Sequence, residues 1–355
     1  MDIQLSAQQQ AVVDCNEPRI VVKACPGSGK TFSVAARMAR LLRENNLSRH
    51  QGIAAISFTN TACDVIKKEL KETFGYPNVS YPSFIGTIDS FINTYIFLPY
   101  AHLVMGCDCR PEIVGTEFNK WFDYDPTQTR YIRGKHGEKI ITSRDANYYF
   151  DLISFGLNDQ LLRLAPYHAY HFGKADWENP NKKDGSPKKI ISELKEMKWK
   201  HFNAGKVNQA DAIYFTFRIL DKYPSIAQNI VRRFPILIID EAQDTTELQM
   251  AIIDKLSQCG AESIMLIGDP DQAIFEWNTA NPHLFMEKYN NPNWHSLDLS
   301  ENRRSSEKIC QLANHFSGNT MISIANDKDC AENPCLKGHL STSESVNQIT
   351  DDFIE

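Results

Sequence analysis

Eight residues, Ala24-Cys25-Pro26-Gly27-Ser28-Gly29-Lys30-Thr31, carry the clearest chemistry in the chain. They follow the phosphate-binding P-loop pattern G-x4-G-K-[ST], with Ala24 in place of the first glycine. Gly27 and Gly29 let backbone N–H groups turn inward around phosphate oxygens, and a following helix adds partial positive charge at its N-terminus. Lys30 would place an ammonium on the β- and γ-phosphates, and Thr31 would offer a hydroxyl to Mg²⁺. A glycine-rich turn with a lysine is common. The full octet between an apolar strand and a helical pattern is not, and it points to a nucleoside triphosphate.

A second segment, IIDEAQD (residues 238–244), ends an apolar strand in two carboxylates. Open α/β sheets bind ligands at that edge. Asp240 is placed to hold Mg²⁺, directly or through water. Glu241 could orient or deprotonate an attacking water; the plainer alternative is a carboxylate that complements a helix start. Phosphoryl transfer is mostly positioning and charge stabilisation, so a complete site also needs a γ-phosphate sensor and a cation. Gln272, after the strand SIMLIG, and Arg303 and Arg304 in LSENRRS (residues 299–305) are candidates.

The elements that must position these groups are readable from hydrophobic patterning. Residues 18–24, 53–58, 235–240 and 263–268 read as buried strands, and helical spacing follows each. That alternation predicts an α/β fold, a parallel sheet with helices on both faces. From about Asn93 to Gly205 the rhythm is lost, aromatic residues are frequent, and NPNKKDGSPKK (residues 179–189) reads as an exposed loop. This stretch reads as a domain inserted into the α/β domain. Its lysines suit either a solvated surface or a nucleic-acid contact.

Composition narrows the function classes. With 38 basic and 44 acidic side chains, the net charge of −6 argues against nucleic-acid binding by bulk charge but not against a local basic groove. The longest mostly apolar stretch, Tyr95 to Met105, falls short of the roughly 20 residues a membrane-crossing helix needs. The N-terminus shows no export signal, so nine scattered cysteines point to a reduced, cytoplasmic chain. Cys107/Cys109 and Cys330/Cys335 lack the paired C-x2-C spacing of structural zinc.

Taken in order, the motifs resemble those of UvrD/Rep-type superfamily 1A DNA helicases over most of the chain. Gln9 resembles the adenine-reading glutamine of that family, with Gln8 a one-residue-shifted alternative. ACPGSGKT is similar to motif I, SFTNTA (57–62) to Ia, IGTIDSF (85–91) to Ib, DEAQD to II, GDPDQAIFEW (268–277) to III and LSENRRS to IV. The resemblance implies a RecA-like P-loop domain 1A (residues 1–92 and 205–295), an inserted, mainly helical domain 1B (93–204), and the start of a second RecA-like domain 2A (296–355).

It also implies ATP and Mg²⁺ as cofactors, water activation by Glu241, coupling by Gln272 and γ-phosphate contact by Arg304. Single-stranded or tailed DNA would meet Phe58, Thr59, Asn60, Thr87 and Asp89, with Trp277 stacking on bases. Movement would be 3′→5′. A nuclease is a plausible partner by the same resemblance, and the alternative function is that of a regulatory subunit that does not unwind.

The departures from the family pattern concern charge and the base. Thr61 and Asp89 replace a lysine and a histidine, and Asn278-Thr279 replace Arg-Gly. Phe32 replaces an arginine, and Arg303 stands where a tyrosine stacks on adenine; a guanidinium can stack in its stead. No motif V or VI is found after LSENRRS, so domain 2A is expected to be incomplete in this sequence.

Overall fold

The computed structural model describes residues 4–44, 46–76, 79, 81–114, 131–133, 139–142, 153–163, 195–196, 198–273, 281–317 and 320–325. Its centre is a six-stranded sheet: β1 (Arg19–Ala24), β2 (Ile53–Ser57), β3 (Phe84–Thr87), β4 (Ile236–Ile239), β5 (Ser263–Gly268) and β6 (His295–Leu299). The spatial order is β6-β1-β5-β4-β2-β3, and every neighbouring pair is parallel.

The sequences of the inner strands explain the layering. RIVVKA, IAAIS, ILII and SIMLIG are near-continuous apolar runs, as burial on both faces demands. Successive residues go to opposite faces. Ile20, Val22, Ile238 and Met265 join one core with Val34 and Met38, while Val21, Leu237, Ile239 and Leu266 join the other with Phe91 and Phe215.

The first core is covered by α1 (Ala7–Asp14), α2 (Lys30–Glu44) and α3 (Asn60–Glu72). The second packs under α4 (Gln209–Lys222), α5 (Pro224–Arg233), α6 (Glu247–Gln258) and α7 (Pro282–Tyr289). Capping boxes start α1 at Ser6, α4 at Asn208 and α6 at Thr246.

Within the expected insertion, a helical run from Ile88 to Met105 contains a π-helical turn at Asn93–Phe97. Two short hairpins, 131–133 with 139–142 and 153–155 with 161–163, accompany it; the sequence patterning did not bring them out. Phe155, Trp199, Phe202 and Phe215 interlock, with Phe202 and Phe215 ring centres 4.8 Å apart and edge-on. Beside them Lys198 Nζ and Asp211 Oδ1 form a fully buried ion pair of 3.0 Å. The lysine-rich stretch 179–189 lies outside the described residues.

Two compact units divide the chain: one spans Met1–Ala24 and Gly29–Leu299, the other Cys25–Ser28 with residues from Ser300 onward. The expectation placed the second domain's start at Ser296. The structure instead pairs His295–Leu299 with Ile20–Ala24, so these residues form an edge of the first sheet. In the second unit, Glu301–Asn302 pairs in parallel with Ile322–Ser323, with the helix Glu307–Ala313 between them. Cys25, Cys310 and Met321 form its small apolar cluster.

Candidate nucleotide site and adjoining sheet edge

The carboxyl ends of β1, β5 and β4 lie side by side, and each delivers part of one constellation. Lys30 and Thr31 open α2 immediately after the phosphate loop. Asp240 follows β4, its position fixed by its N–H donating to the Ile56 carbonyl (2.8 Å). Thr31 Oγ1 donates to Asp240 Oδ2 (3.3 Å), and Lys30 Nζ stands 3.1 Å from Glu241 Oε2. Glu241 adopts φ +55°, a left-handed backbone rare outside glycine, which turns the chain sharply off the strand.

Gln272 lies on the short turn after β5, and its Nε2 donates to Asp269 Oδ2. The fully buried Gln243 bridges the two carboxylate segments. Its Nε2 donates to Glu241 Oε2 (3.0 Å), and its Oε1 accepts from the Asp269 N–H (3.0 Å). Gln243 and Asp269 were not singled out as site residues, although both lie inside motifs already recognised; the two are bonded to each other across 26 residues of sequence, which spacing cannot show.

Burial, and then repulsion from Glu241, pushes the Asp240 carboxyl up to about 7 against the attraction of Lys30. Burial also raises Asp269, again opposed by Lys30. A buried carboxylate beside a hydroxyl is a hard-oxygen donor set, and it fits Mg²⁺. Magnesium is usually held by one or two protein oxygens plus substrate phosphates. Among the described residues no group of three or more His, Cys, Asp or Glu forms an all-protein cage.

Gln9 is buried on α1, and its Oε1 accepts from the Ser6 N–H (3.2 Å) in the capping box. Its Nε2 lies 2.7 Å from where a Cβ on Gly29 would sit, which places it against that glycine. Gln8 is only half-buried. Ala24 ends β1. In the second unit, Ser28 Oγ donates to the Cys25 carbonyl (2.8 Å), Asn302 Nδ2 to the Pro26 carbonyl (2.8 Å), and the Arg303 N–H to the Gly27 carbonyl (3.0 Å). Arg304 Cβ would lie 2.8 Å from a Cβ on Gly27. Asn302, another residue not foreseen, also accepts from the Arg304 and Ser305 N–H groups (2.8 Å each).

The candidate strand-contacting residues occupy the next stretch of the same sheet edge. Phe58, Thr59 and Asn60 follow β2, while Thr87 ends β3 and Asp89 follows it, with Ser57 in register with Thr87. Thr59 Oγ1 accepts from the Ala62 N–H and Thr87 Oγ1 from the Ser90 N–H (3.2 Å each), so both hydroxyls cap helices. Burial pushes the Asp89 carboxyl up to about 6, opposed by a bond from Gln209. Trp277 lies outside the described residues.

A parallel sheet with a phosphate loop after its first strand and an Asp-Glu pair after the next strand but one in the sheet defines a P-loop nucleotide-binding domain. Comparison with known proteins narrows this. Residues 5–293 match the family model described as the UvrD/REP helicase N-terminal domain. The chain is 24% identical over 321 residues to ATP-dependent DNA helicase PcrA of Bacillus subtilis, covering 89% of this chain and 39% of that protein. It is 26% identical over 314 residues to DNA helicase II of Escherichia coli, covering 87% and 40%. It is 30% identical over 124 residues to an ATP-dependent helicase/nuclease subunit from Natranaerobius thermophilus, covering 33% and 10%. The chain belongs to the UvrD/REP helicase family through this N-terminal domain, and its sheet is RecA-like. It spans at most about two fifths of the length of these relatives. Among the described residues no helix is long and apolar enough to cross a membrane.

Proposed function

We propose that this chain is the nucleotide-binding front part of an ATP-dependent DNA helicase or translocase that moves 3′→5′ on single-stranded DNA. The observation that carries the reading is the meeting of Lys30, Thr31, Asp240 and Glu241 within 3.3 Å contacts, on the sheet edge that also ends in Phe58–Asn60 and Thr87. Backbone N–H groups of the phosphate loop and the start of α2 receive the triphosphate. Lys30 leaves Glu241 for the β- and γ-phosphates. Glu241, released, takes the proton of the attacking water. Thr31 and Asp240 would hold Mg²⁺, which would supply positive charge against the phosphates.

Asp269 and Gln243 link Gln272 to Glu241, so γ-phosphate loss reaches the turn after β5. Arg304 serves as the cation on the γ-phosphate, Arg303 and Gln9 as base contacts. Domain 1B comprises residues 93–204, and domain 2A begins near Ser300. DNA-stimulated ATP hydrolysis by the complete protein tests this, with Lys30→Ala as the control. Hydrolysis undiminished by that substitution would overturn the reading.

A second reading rests on the match to a helicase/nuclease subunit. Here the chain binds ATP and DNA ends for a nuclease partner and does not unwind. Strand displacement by the purified 355-residue chain refutes it.

A further inference from the structure

Arg37 is among the largest wholly enclosed side chains in the molecule, at 1% exposure. It lies two turns along α2 from Lys30, on the same helix. Its Nη1 donates to the carbonyls of Val12 (3.0 Å), Val13 (3.2 Å) and Cys15 (2.5 Å), and its Nη2 reaches Ser263 Oγ (3.5 Å) at the start of β5. Those three carbonyls lie at the carboxyl end of α1, where a helix leaves its acceptors without intrahelical donors. A cation there also complements the helix dipole. Arg40, one turn further, donates to Asn16 Oδ1 (2.8 Å) and ties down the chain just beyond.

The arrangement matters because of what α1 carries at its other end. The helix is only eight residues long, well under the length at which a helix holds itself together in water. Its placement therefore depends on tertiary contacts. Gln9 sits in its first turn, against Gly29 of the phosphate loop.

We propose that Arg37 is a positioning residue for nucleobase recognition: it clamps the carboxyl end of the Gln9 helix to the helix that bears Lys30, and so fixes the Gln9 carboxamide beside Gly29. This deepens the nucleotide-binding reading and rests on it. Arg37 touches no part of the nucleotide. Its effect passes through Gln9 to the base, and the triphosphate contacts do not depend on it. Arginine is required because its two terminal nitrogens reach the helix-end carbonyls and Ser263 Oγ at once; a lysine offers a single point charge.

The test is calorimetric titration of the 355-residue chain with Mg–ATP and with Mg–tripolyphosphate, which has no base. Arg37→Lys should weaken ATP binding about tenfold, the equivalent of one well-placed hydrogen bond, and leave tripolyphosphate affinity unchanged. Gln9→Ala should give a similar loss, and adding Arg37→Lys to it should cost nothing more. Asp14→Gly loosens the same helix end from the exposed side, and it should reproduce the ATP-only loss without disturbing the core. Equal loss of both ligands in Arg37→Lys, additive losses with Gln9→Ala, or unchanged ATP affinity in Arg37→Lys and Asp14→Gly would each overturn the assignment. If the unaltered chain binds neither ligand, the nucleotide reading itself fails and the clamp's role falls with it.

Discussion

Lys30 and Glu241 neutralise each other across 3.1 Å, the lysine almost wholly buried and the glutamate partly so. The group that would meet the phosphates is thus held by the group that would activate water. Nucleotide entry has to part them, and parting them arms both. The same Glu241 oxygen also accepts from Gln243, so the carboxylate keeps one partner when the lysine leaves.

Glu241→Gln should therefore have opposite effects on turnover and on binding. Loss of the base lowers DNA-stimulated ATP hydrolysis in the complete protein by roughly 10²–10⁴. Loss of the competing charge frees Lys30, so nucleotide affinity rises or holds. Lys30→Ala should abolish both. A Glu241→Gln protein that hydrolyses ATP at the original rate, or that binds it more weakly than the unaltered protein, contradicts the pairing as described.

Gly29 separates a local clash from a general backbone cost. Its φ is +82°, and an added Cβ would stand 2.7 Å from Gln9 Nε2. At Gly260, with φ +102°, an added Cβ would meet nothing within 4 Å. Both glycine-to-alanine changes cost about 1–2 kcal/mol of folding free energy through left-handed backbone strain. Only Gly29→Ala should weaken Mg–ATP binding, because only it both strains the phosphate loop and crowds Gln9. Urea unfolding and nucleotide titration of the two variants make the comparison. Equal nucleotide affinities would remove Gln9 from the site.

How much of this was legible beforehand depends on burial. The four inner strands announced themselves as apolar runs, and the phosphate loop and Asp240-Glu241 were placed where they stand. The two edge strands were not readable. Phe84–Thr87 is four half-buried residues including a glycine, and His295–Leu299 alternates polar and apolar with only Leu299 buried. An edge strand has one neighbour and one wet side, so it loses the continuous apolar signature. Arg37 was hidden for a different reason. An arginine on a helix reads as a solvated face until the fold shows three carbonyls closing over it.

Lys198 and Asp211 make an ion pair from which water is excluded, and Ser154 Oγ also donates to the carboxylate (2.8 Å). Burial raises the Asp211 pKa against the attraction of the lysine. Lys198→Met leaves that carboxylate without its cation and should cost about 3–5 kcal/mol. Lys255→Met breaks the exposed bond to Asp221 and should cost about 0–1 kcal/mol. Denaturant midpoints of the two variants decide it. Similar losses would mean that the buried pair contributes no more than a surface one.

His201, beside that pair, supplies a pH dependence of definite sign. Burial first, then Lys206 and Lys198, lower its pKa from 6.5 to about 4. The folded state therefore keeps the imidazole neutral where the unfolded chain would protonate it. The stability it contributes is present above pH 6.5 and is lost as pH falls toward about 4. His201→Gln should lose less stability than the unaltered chain between about pH 7.5 and 5, a range chosen to bracket most of that window. An identical loss in both would place the titration elsewhere.

The DNA assignment turns on position along the sheet edge. Phe58 and Asn60 follow β2, and β2 lies between β3 and β4, which leads into Asp240. A strand lying there would run past the nucleotide residues within the same body of structure. Trp277 follows Gln272 by five residues, so a base stacked on it would be tied to the nucleotide state through Gln272, Asp269 and Gln243. Trp277→Ala should weaken binding of a single-stranded oligonucleotide by about 1–3 kcal/mol per stacked base. Mg–ATP affinity measured without DNA should hardly change. Phosphate contacts release counterions, so affinity should fall with added salt in both proteins, and with the same slope, since stacking removes no charge contact. A shallower slope in Trp277→Ala would mean that the substitution disturbed a phosphate contact. Unchanged oligonucleotide affinity would take the tryptophan out of the DNA path altogether.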